Sequence, residues 1–195
     1  MELFYGLVWY LVIAHVSVSA GLHRYFAHKA FKAHWSYEIF VLWSTNLIGL
    51  RSSIGWMGVH RMHHHHSDTE DDPHSPLTKG FWKVLFGMFK VDHIPSKYVR
   101  DLYKNPRIVF FHKNWHWVWG VQIIIAGLIS WQFLLAYTVI PSILALVGFG
   151  SVNALCHKDG KSRNVPIINL LTAGEGYHAE HHKGKNLRFH KWDHM

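Results

Sequence analysis

Apolar residues gather into three long runs along the chain. The runs cover residues 3–22, about 117–135 and about 137–155. Each approaches the 20 or so residues that a helix needs to cross a bilayer. Pro141 lies near the junction of the last two runs, which predicts a tight hairpin there. The pattern therefore predicts an all-α protein with three membrane-spanning helices.

Two shorter apolar segments are predicted to lie at the membrane boundary. Residues 39–50 are too few to span a bilayer, so we expect them to be re-entrant or interfacial. Residues 80–91 place Lys83 and Lys90 seven positions apart on one face of an otherwise apolar helix. Such a helix is expected to lie in the headgroup plane, with its lysines reaching toward water.

The distribution of charged residues indicates which side of the membrane is cytoplasmic in this predicted topology. The chain has 20 Lys and Arg against 12 Asp and Glu, a formal net charge of +8. If the first run crosses once and the other two go out and back, every Lys and Arg from Arg24 to Lys191 falls on one side. The positive-inside rule makes that side cytoplasmic. We therefore predict one domain over residues 1–195, a multi-pass integral membrane protein with a helical cap in the cytosol.

The net charge and the cysteine content limit which partners and which metal ligands the chain is expected to have. The basic charge comes without an RNA- or DNA-binding motif, so an anionic lipid surface is the expected partner and nucleic acid is not. Cys156 is the single cysteine, which excludes an internal disulfide and a cysteine-based zinc cluster. The N-terminus lacks the basic region and cleavage site of a signal peptide. The 19 histidines are therefore the expected ligands of any bound metal.

Two copies of the pattern HxxHH stand out among the histidines. They are His60, His63 and His64 in HRMHHHH, and His178, His181 and His182 in GEGYHAEHH. Positions i, i+3 and i+4 share one face of a helix, so the three rings of each copy are expected to converge on one point. His65 and His66 face away from that point and are expected to be solvated.

Two further segments add histidines at the ends of predicted spans. HRYFAH supplies His23 and His28, whose spacing of five suits a pair that straddles a helix end. NALCH supplies Asn153 and His157 at i and i+4. With the HxxHH copies, these make nine histidines at one membrane boundary. Nine imidazoles exceed what one ion accepts and predict two metal ions, and imidazole suits Zn, Cu, Fe and Ni alike.

Residues beside the clusters are expected to accept hydrogen bonds from the second ring nitrogens of the ligands. The acidic candidates are Asp68, Asp72, Glu175 and Glu180. His74, in the tripeptide DPH, is either such a supporting residue or a turn residue. His15 lies in mid-span, where we expect its ring to bond to a neighbouring helix.

In this order, the segments resemble the histidine boxes of the membrane-bound fatty acid desaturases, specifically the Δ9 branch. GLHRYFAH is similar to the first box, and GVHRMHHHHSDTEDDPHSPLTKGFW to the second with its tail. NALCH is similar to the NxxxH element and GEGYHAEHH to the third box. The resemblance covers most of the chain.

The resemblance implies a di-iron enzyme that uses O2 and two electrons to turn a methylene pair of an acyl chain into a cis double bond. By position, the nine histidines would hold two Fe ions, and Asn153 would hold a water on one of them. The family builds its substrate tunnel between the spans and the cytosolic helices, which makes Trp43 and Trp56 candidate tunnel residues. The electron donor would be a separate protein of ferredoxin or cytochrome b5 type, since the chain carries no fused cytochrome b5 domain.

Four features depart from the family pattern. One span precedes the first box where the family usually has a pair, and the chain ends at RFHKWDHM, soon after the third box. The chain is therefore expected to be a naturally minimal enzyme or a piece that needs a homo-oligomeric neighbour. Ala179 stands where the family commonly has Asn. Gly58 and Val59 stand where animal acyl-CoA enzymes carry an Arg-Asp pair, which favours an acyl-lipid substrate.

Two other functions fit parts of the pattern. Related hydroxylases, ketolases and decarbonylases use similar boxes, although the tail SDTEDDPH and the segment GEGYHAEHH favour desaturation. A membrane zinc or copper transporter or buffer with histidine-rich loops would not be an enzyme. A transporter is expected to have ionisable ligands inside its spans, whereas only His15 lies deep in one.

Overall fold

The computed structural model describes residues 1–183, and the regular secondary structure in that range is helical. The α-helices are α1 (Glu2–Val12), α2 (Trp35–Leu47), α3 (Ser53–His66), α4 (Pro76–Lys79), α5 (Phe81–Leu85), α6 (Pro106–Ile129), α7 (Trp131–Leu134), α8 (Ile140–Leu155), α9 (Asn169–Thr172) and α10 (His178–Lys183). A π-helical segment, Ile13–Ala27, continues α1, and a second, Leu135–Val139, joins α7 to α8. Short 3-10 turns lie at Ser96–Tyr98, Leu102–Lys104 and Pro166–Ile168. The predicted all-α class is confirmed for this range, while Lys191 and its predicted side of the membrane lie outside it.

Two continuous helices are long and apolar enough to cross a membrane. They are Glu2–Ala27 and Trp131–Leu155. The first contains the predicted span 3–22 and the second contains the predicted span 137–155. Both present exposed apolar side chains, such as Leu3 and Ile143. The number of crossings and the side of the membrane on which the polar part lies stay predictions.

The predicted hairpin near Pro141 is wrong, because the helical path breaks at Ser130 instead. Ser130 has an extended backbone, with φ −173° and ψ 160°, and its hydroxyl accepts a hydrogen bond from the backbone N–H of Phe133 at 3.0 Å. Ser130 is thus the N-cap of α7. The predicted span 117–135 is therefore divided between α6 and the helix that follows.

Pro141 is buried inside the helix Trp131–Leu155, two residues after the π-helical turn Leu135–Val139 ends. A proline has no backbone N–H to donate within a helix. The irregular hydrogen bonding of the preceding π turn allows the helix to continue through this position.

The predicted interfacial helix over residues 80–91 is wrong beyond Leu85, where α5 ends. Gly80 and Gly87 have φ of 89° and 62°, the left-handed region that glycine adopts readily, and they interrupt the helix on both sides. Lys83 and Lys90 are both exposed but do not share a helix face. The other predicted interfacial segment, 39–50, forms most of α2.

A close contact fixes the end of the first long helix against α2. A Cβ atom on Gly21 would lie 2.5 Å from Val41 Cγ2, so the Val41 side chain packs this closely against the first long helix only because residue 21 is glycine. Leu22 and Met57 are fully buried in the main core, which joins this helix to α2 and α3. The core therefore holds His23, the next residue along the chain, beside α3.

Candidate metal centre

Helix α3 carries the first HxxHH copy into the interior, and its N-cap Ser52 accepts the backbone N–H of Gly55 at 2.8 Å. The expectation that the three rings converge on one point is wrong. His60 and His64 join one group of histidines, and His63 joins another. His63 and His64 lie about 100° apart around the helix axis, which directs their rings to two different points.

Helix α10 divides its histidines in the same way. His178 and His182, at i and i+4, join His63, whereas His181 joins the group of His60. The side-chain oxygen of Asn164 accepts the backbone N–H of Ala179 at 2.9 Å and so holds the first turn of α10. Each HxxHH helix therefore gives an i, i+4 pair to one group and a single ring to the other.

His23 and His28 come from the π-helical end of the first long helix. Backbone hydrogen bonds in a π-helix run from residue i+5 to residue i, and the N–H of His28 donates to the carbonyl of His23 at 3.0 Å. The spacing of five, awkward in an α-helix, thus brings the two ring centroids to 4.8 Å. His28 directly follows the π-helical segment, so the pair straddles a helix end as predicted.

All nine histidines singled out by the sequence lie in two groups, within each of which the candidate ligand nitrogens lie within 4.8 Å of one another. The five-histidine group consists of His23, His28, His60, His64 and His181. The four-histidine group consists of His63, His157, His178 and His182. Each group can hold a metal ion, since imidazole nitrogen is a common ligand for transition metals.

The Nε2 atoms inside each group face one another at short range. The distances are 2.8 Å for His28–His60, 3.0 Å for His23–His181, 2.9 Å for His64–His181, 3.2 Å for His63–His182 and 3.0 Å for His178–His182. Nitrogens bound to one ion at about 2.0–2.1 Å lie about 2.9 Å apart at a right angle and about 3.4 Å apart in a tetrahedron. The spacings therefore fit ligands that share an ion.

Carboxylates fix the orientation of three rings. The Nδ1 atoms donate to them at 3.0 Å from His63 to Asp72, 2.8 Å from His157 to Asp68 and 2.9 Å from His23 to Glu175. With Nδ1 protonated, Nε2 of each of these three rings carries a lone pair and can only accept. Nε2 of His157 is buried without a hydrogen-bond partner among the described residues. A cation between the rings would satisfy these nitrogens.

Burial also favours the neutral form of seven of the nine rings. Burial is the largest cause that lowers the pKa of His28 to about 2 and the pKa of His182 to about 4. It likewise lowers the pKa of the remaining histidines of the two groups on α3 and α10, His60, His63, His64, His178 and His181, far below the ordinary value. Neutral imidazole is the form that binds a metal ion.

Comparison with known proteins decides the family. A family model described as Fatty acid desaturase matches residues 3–193. The chain belongs to the fatty acid desaturase family.

Three relatives illustrate the similarity. The chain is 28% identical over 191 residues to the sn-1 stearoyl-lipid 9-desaturase of Anabaena variabilis, with 91% of this chain and 70% of the relative covered. It is 31% identical over 188 residues to the protein of the same name in Synechocystis sp., and the match covers 89% of this chain and 58% of that relative. It is 30% identical over 196 residues to the Acyl-CoA Delta(11) desaturase of Spodoptera littoralis, and the match covers 88% of this chain and 57% of that relative. The chain thus spans 57% to 70% of the length of these relatives.

In this member of the desaturase family, the remaining residues predicted to support the site are His74, Glu180 and Asn153. His74 is buried and its ring stacks on that of His63, with centroids 4.2 Å apart. Glu180 is partly buried on α10 and belongs to neither histidine group. Asn153 is partly buried on α8, about one turn before His157, and its binding of a water stays a prediction.

The two candidate tunnel residues differ in their distance from the histidines. Trp56 stacks nearly parallel on His60, with ring centroids 5.2 Å apart and an interplanar angle of 4°. Trp43 packs against Trp9 and Tyr137, on the helices Glu2–Ala27 and Trp131–Leu155. Trp56 therefore contacts a ring of the five-histidine group directly, whereas Trp43 contacts the long apolar helices. Their role in a tunnel stays a prediction.

Three histidines outside the groups have other partners. His15 is exposed and its Nδ1 donates to the carbonyl of Leu11 at 2.8 Å, so the expected bond to a neighbouring helix is wrong. An exposed ring finds a nearby acceptor in the preceding turn of its own helix. His65 is exposed as predicted, whereas His66 is partly buried and lies 3.3 Å from the hydroxyl of Tyr98.

The sequence pattern missed two arginines that directly follow histidines of the five-histidine group. Arg24, after His23, is buried and donates to Glu175 at 2.9 Å. Burial alone would raise the pKa of Glu175, but His23, Arg24 and the hydroxyl of Ser19 lower it to about 2. The available signal was a charged residue at the end of an apolar run, where an unpaired charge is costly.

Arg61, after His60, holds the end of the first long helix. Its guanidinium donates to the carbonyls of Phe26 and Ala27 at 2.8 and 2.9 Å, and to the carboxylate of Asp101 at 2.7 Å. The last carbonyls of a helix have no partner within the helix and need donors from elsewhere. Arg61 thus connects α3 to the turn that carries His28.

Proposed function

We propose that the chain is an O2-dependent di-iron fatty acyl desaturase that introduces a cis double bond at the Δ9 position of a membrane-associated acyl chain. The observation that carries this proposal is the pair of neighbouring imidazole groups, with three rings held by carboxylates. The family membership and the relatives named as 9-desaturases support the reaction and the position.

Two arguments favour iron as the bound metal: the number of imidazole ligands in the five-histidine group, and the membership of the fatty acid desaturase family. Structural zinc is almost always bound by four ligands in a tetrahedron, so five imidazoles in one group exceed its preference. Imidazole suits iron equally well and leaves room for higher coordination. When bound, two iron ions would supply the redox chemistry, in which O2, two electrons, two protons and two hydrogens from neighbouring methylenes give a C=C bond and two waters.

The chain's own residues would prepare the site for this chemistry. The nine histidines would hold the two ions, and Asp72, Asp68 and Glu175 keep three rings in the tautomer that presents Nε2. Asn153 would hold a water at the four-histidine group. Burial of His63, His157 and His178 keeps bulk water from that group.

An acyl-lipid is the substrate class that the residues around α3 favour. Gly58 is buried, and a Cβ atom there would lie 2.7 Å from Val99 Cγ1 and 2.9 Å from Ile94 Cγ2. A charged side chain at position 58, of the kind that binds a CoA headgroup in the animal enzymes, would clash with these residues. Two of the relatives are named as acting on stearoyl-lipid, although another is named as acting on acyl-CoA.

The proposed placement follows from the apolar helices and the charge. Glu2–Ala27 and Trp131–Leu155 would cross the bilayer, with the histidine groups at the cytoplasmic face beside the basic residues. The acyl chain would then enter from the lipid, and a separate donor of ferredoxin or cytochrome b5 type would deliver electrons from the cytosol.

Fatty-acid analysis after expression with a suitable reductant tests the proposal. Wild type is expected to raise the unsaturated fraction and His63→Ala to abolish the rise. His65→Ala is the matched control, since it removes an exposed histidine from the same helix. Hydroxylated or otherwise oxygenated lipid would indicate a related di-iron oxygenase instead. Tightly held zinc with unchanged lipids would indicate a metal transporter or buffer.

A further inference from the structure

Residues 76–90 form an exposed segment on the same side of the molecule as α8's C-terminal end. Large apolar side chains in it are unusually open to solvent: Leu77 is 64% exposed, Trp82 66% and Met88 63%. Trp82 and Phe86 stack on each other rather than on the core, with centroids 6.2 Å apart. Apolar side chains this exposed in one segment indicate a contact surface.

Three lysines are interleaved with these apolar residues. Lys79, Lys83 and Lys90 are all exposed, and none of the ion pairs within residues 1–183 involves them. Trp, Phe and Met beside unpaired lysines match the boundary of an anionic bilayer, where rings enter the headgroup layer and ammonium groups meet phosphates. An acidic soluble protein would use the lysines but leave the apolar side chains without a partner.

The contact of the segment with α8 fixes how deep the segment would lie in a membrane. Val84 is buried, and a Cβ atom on Gly150 would lie 2.0 Å from the carbonyl oxygen of Leu85, so α5 rests on the backbone of α8 at this glycine. Gly150 lies five residues before the end of the helix Trp131–Leu155, or about 7.5 Å along its axis. In a bilayer crossed by that helix, a position this near its end lies close to the membrane boundary.

Both ends of the segment reach the histidine site. The chain enters it directly after His74 and Ser75, which are buried, and Phe89 returns to pack against His74 with ring centroids 5.7 Å apart. The ring of His74 stacks on His63 in turn. The exposed surface is therefore continuous in structure with a ligand of the four-histidine group.

We infer that residues 76–90 are an interfacial anchor that binds anionic lipid headgroups and ties the four-histidine group to the membrane surface. The inference rests on the membrane placement proposed above. The lysines contact the phosphates, Trp82 and Phe86 enter the headgroup layer, and His74 connects the anchor to His63. The anchor thereby sets the height of the site above the acyl chains.

Depth measurement with a single fluorescent label tests the anchor. The full chain carrying Trp82→Cys is labelled and reconstituted into bilayers of phosphatidylcholine with phosphatidylglycerol; the native Cys156 is buried. Labels on Ile143→Cys and Tyr103→Cys are the controls, since Ile143 lies exposed on a candidate span and Tyr103 lies exposed in a 3-10 turn. Quenching by lipids spin-labelled near the headgroup is expected at position 82, quenching by lipids spin-labelled deep in the acyl chain at position 143, near the middle of its helix, and quenching by aqueous iodide at position 103.

The outcomes separate the anchor from the membrane placement. Iodide quenching at position 82 together with lipid quenching at 143 would overturn the anchor and leave the placement standing. Iodide quenching at both positions would overturn the placement as well.

The charge component is tested by lipid selectivity. The triple variant Lys79→Gln, Lys83→Gln and Lys90→Gln is compared with a matched variant, Lys97→Gln, Arg100→Gln and Lys104→Gln, which removes the same charge from other exposed sites. Electron paramagnetic resonance of spin-labelled lipids measures the association of phosphatidylglycerol relative to phosphatidylcholine. We expect the anchor variant to lose this preference by about fivefold or more and the matched variant to keep it. Equal loss in both would overturn specific headgroup binding by the anchor.

Discussion

His63 shows how one side chain connects the fold to the chemistry. Its ring is buried, its Nδ1 donates to Asp72, and its Nε2 lies 3.2 Å from that of His182. Asp72 also accepts the backbone N–H groups of Asp68 and His74. One carboxylate therefore orients a ring of the four-histidine group and shapes the turn that follows α3.

Replacement of this carboxylate should weaken metal binding without removing a ligand. Asp72→Asn keeps the size of the side chain but removes the negative charge that orients the His63 ring, and loss of such a partner typically costs 10- to 100-fold in metal affinity. Asp71→Asn is the matched control, because Asp71 is exposed. Anaerobic titration against a competing iron chelator measures both. Equal affinities in the two variants would contradict the assigned role of Asp72.

Asp101 gives a dependence of stability on pH that does not involve the histidine groups. Partial burial would raise its pKa, but hydrogen bonds and charges from Arg61 and Lys29 lower it to about 2. A carboxylate with a lowered pKa stabilises the fold above its unfolded value of about 3.9, and this contribution is lost as pH falls toward 2. Because the side chain is 35% exposed, we expect a contribution of at most about 1 kcal/mol.

Thermal unfolding in detergent can measure this contribution. Asp101→Asn is expected to unfold at a lower temperature than wild type at pH 7, and the difference should narrow at pH 3. A difference that stays constant over this pH range would show that the ion pairs of Asp101 do not cause it.

At the scale of elements, close contacts at two glycines hold the helices next to the histidine groups. Gly21 allows the first long helix to approach α2, and Gly150 allows α5 to rest on α8. The segment between α3 and α5 is therefore held at both ends, by the turn at Asp72 and by Gly150. His157, two residues after α8, lies close to this contact along the chain.

Gly150→Ala tests the contact between α5 and α8. The added Cβ would meet a backbone oxygen that cannot move as a side chain can, so we expect a loss of about 1–3 kcal/mol in the free energy of unfolding. Gly127→Ala is the matched control, since no atom lies within 4 Å of a Cβ at that helical glycine. It is expected to be neutral or to stabilise by up to about 1 kcal/mol. Thermal unfolding of both variants gives the comparison, and equal effects would contradict the contact.

At the scale of the whole molecule, the sequence predicted which histidines meet but not how they divide. The periodicity of HxxHH places three rings toward one face, and only the packing of α3 against α10 sends His63 to one group and His64 to the other. The π-helical path through His23 and His28 could not be predicted either, because no local pattern distinguishes it from an α-helix.

Helix boundaries were the weaker part of the prediction. Apolar runs locate helices without locating their ends, so Pro141 suggested a turn that Ser130 in fact makes. Gly80 and Gly87 were read as part of a helix because the surrounding apolar pattern is strong, yet their positive φ values interrupt it. Arg24 and Arg61 were missed because their partners come from distant parts of the chain.

The central claim is that the nine histidines bind two iron ions, one in each group. The most direct test is the iron content of protein reconstituted anaerobically, measured per chain by elemental analysis with Mössbauer spectra of the bound iron. We expect two irons in wild type, and at most one in His60→Ala, which alters the five-histidine group, and in His178→Ala, which alters the four-histidine group. One iron or none in wild type, or two in either variant, would contradict the account.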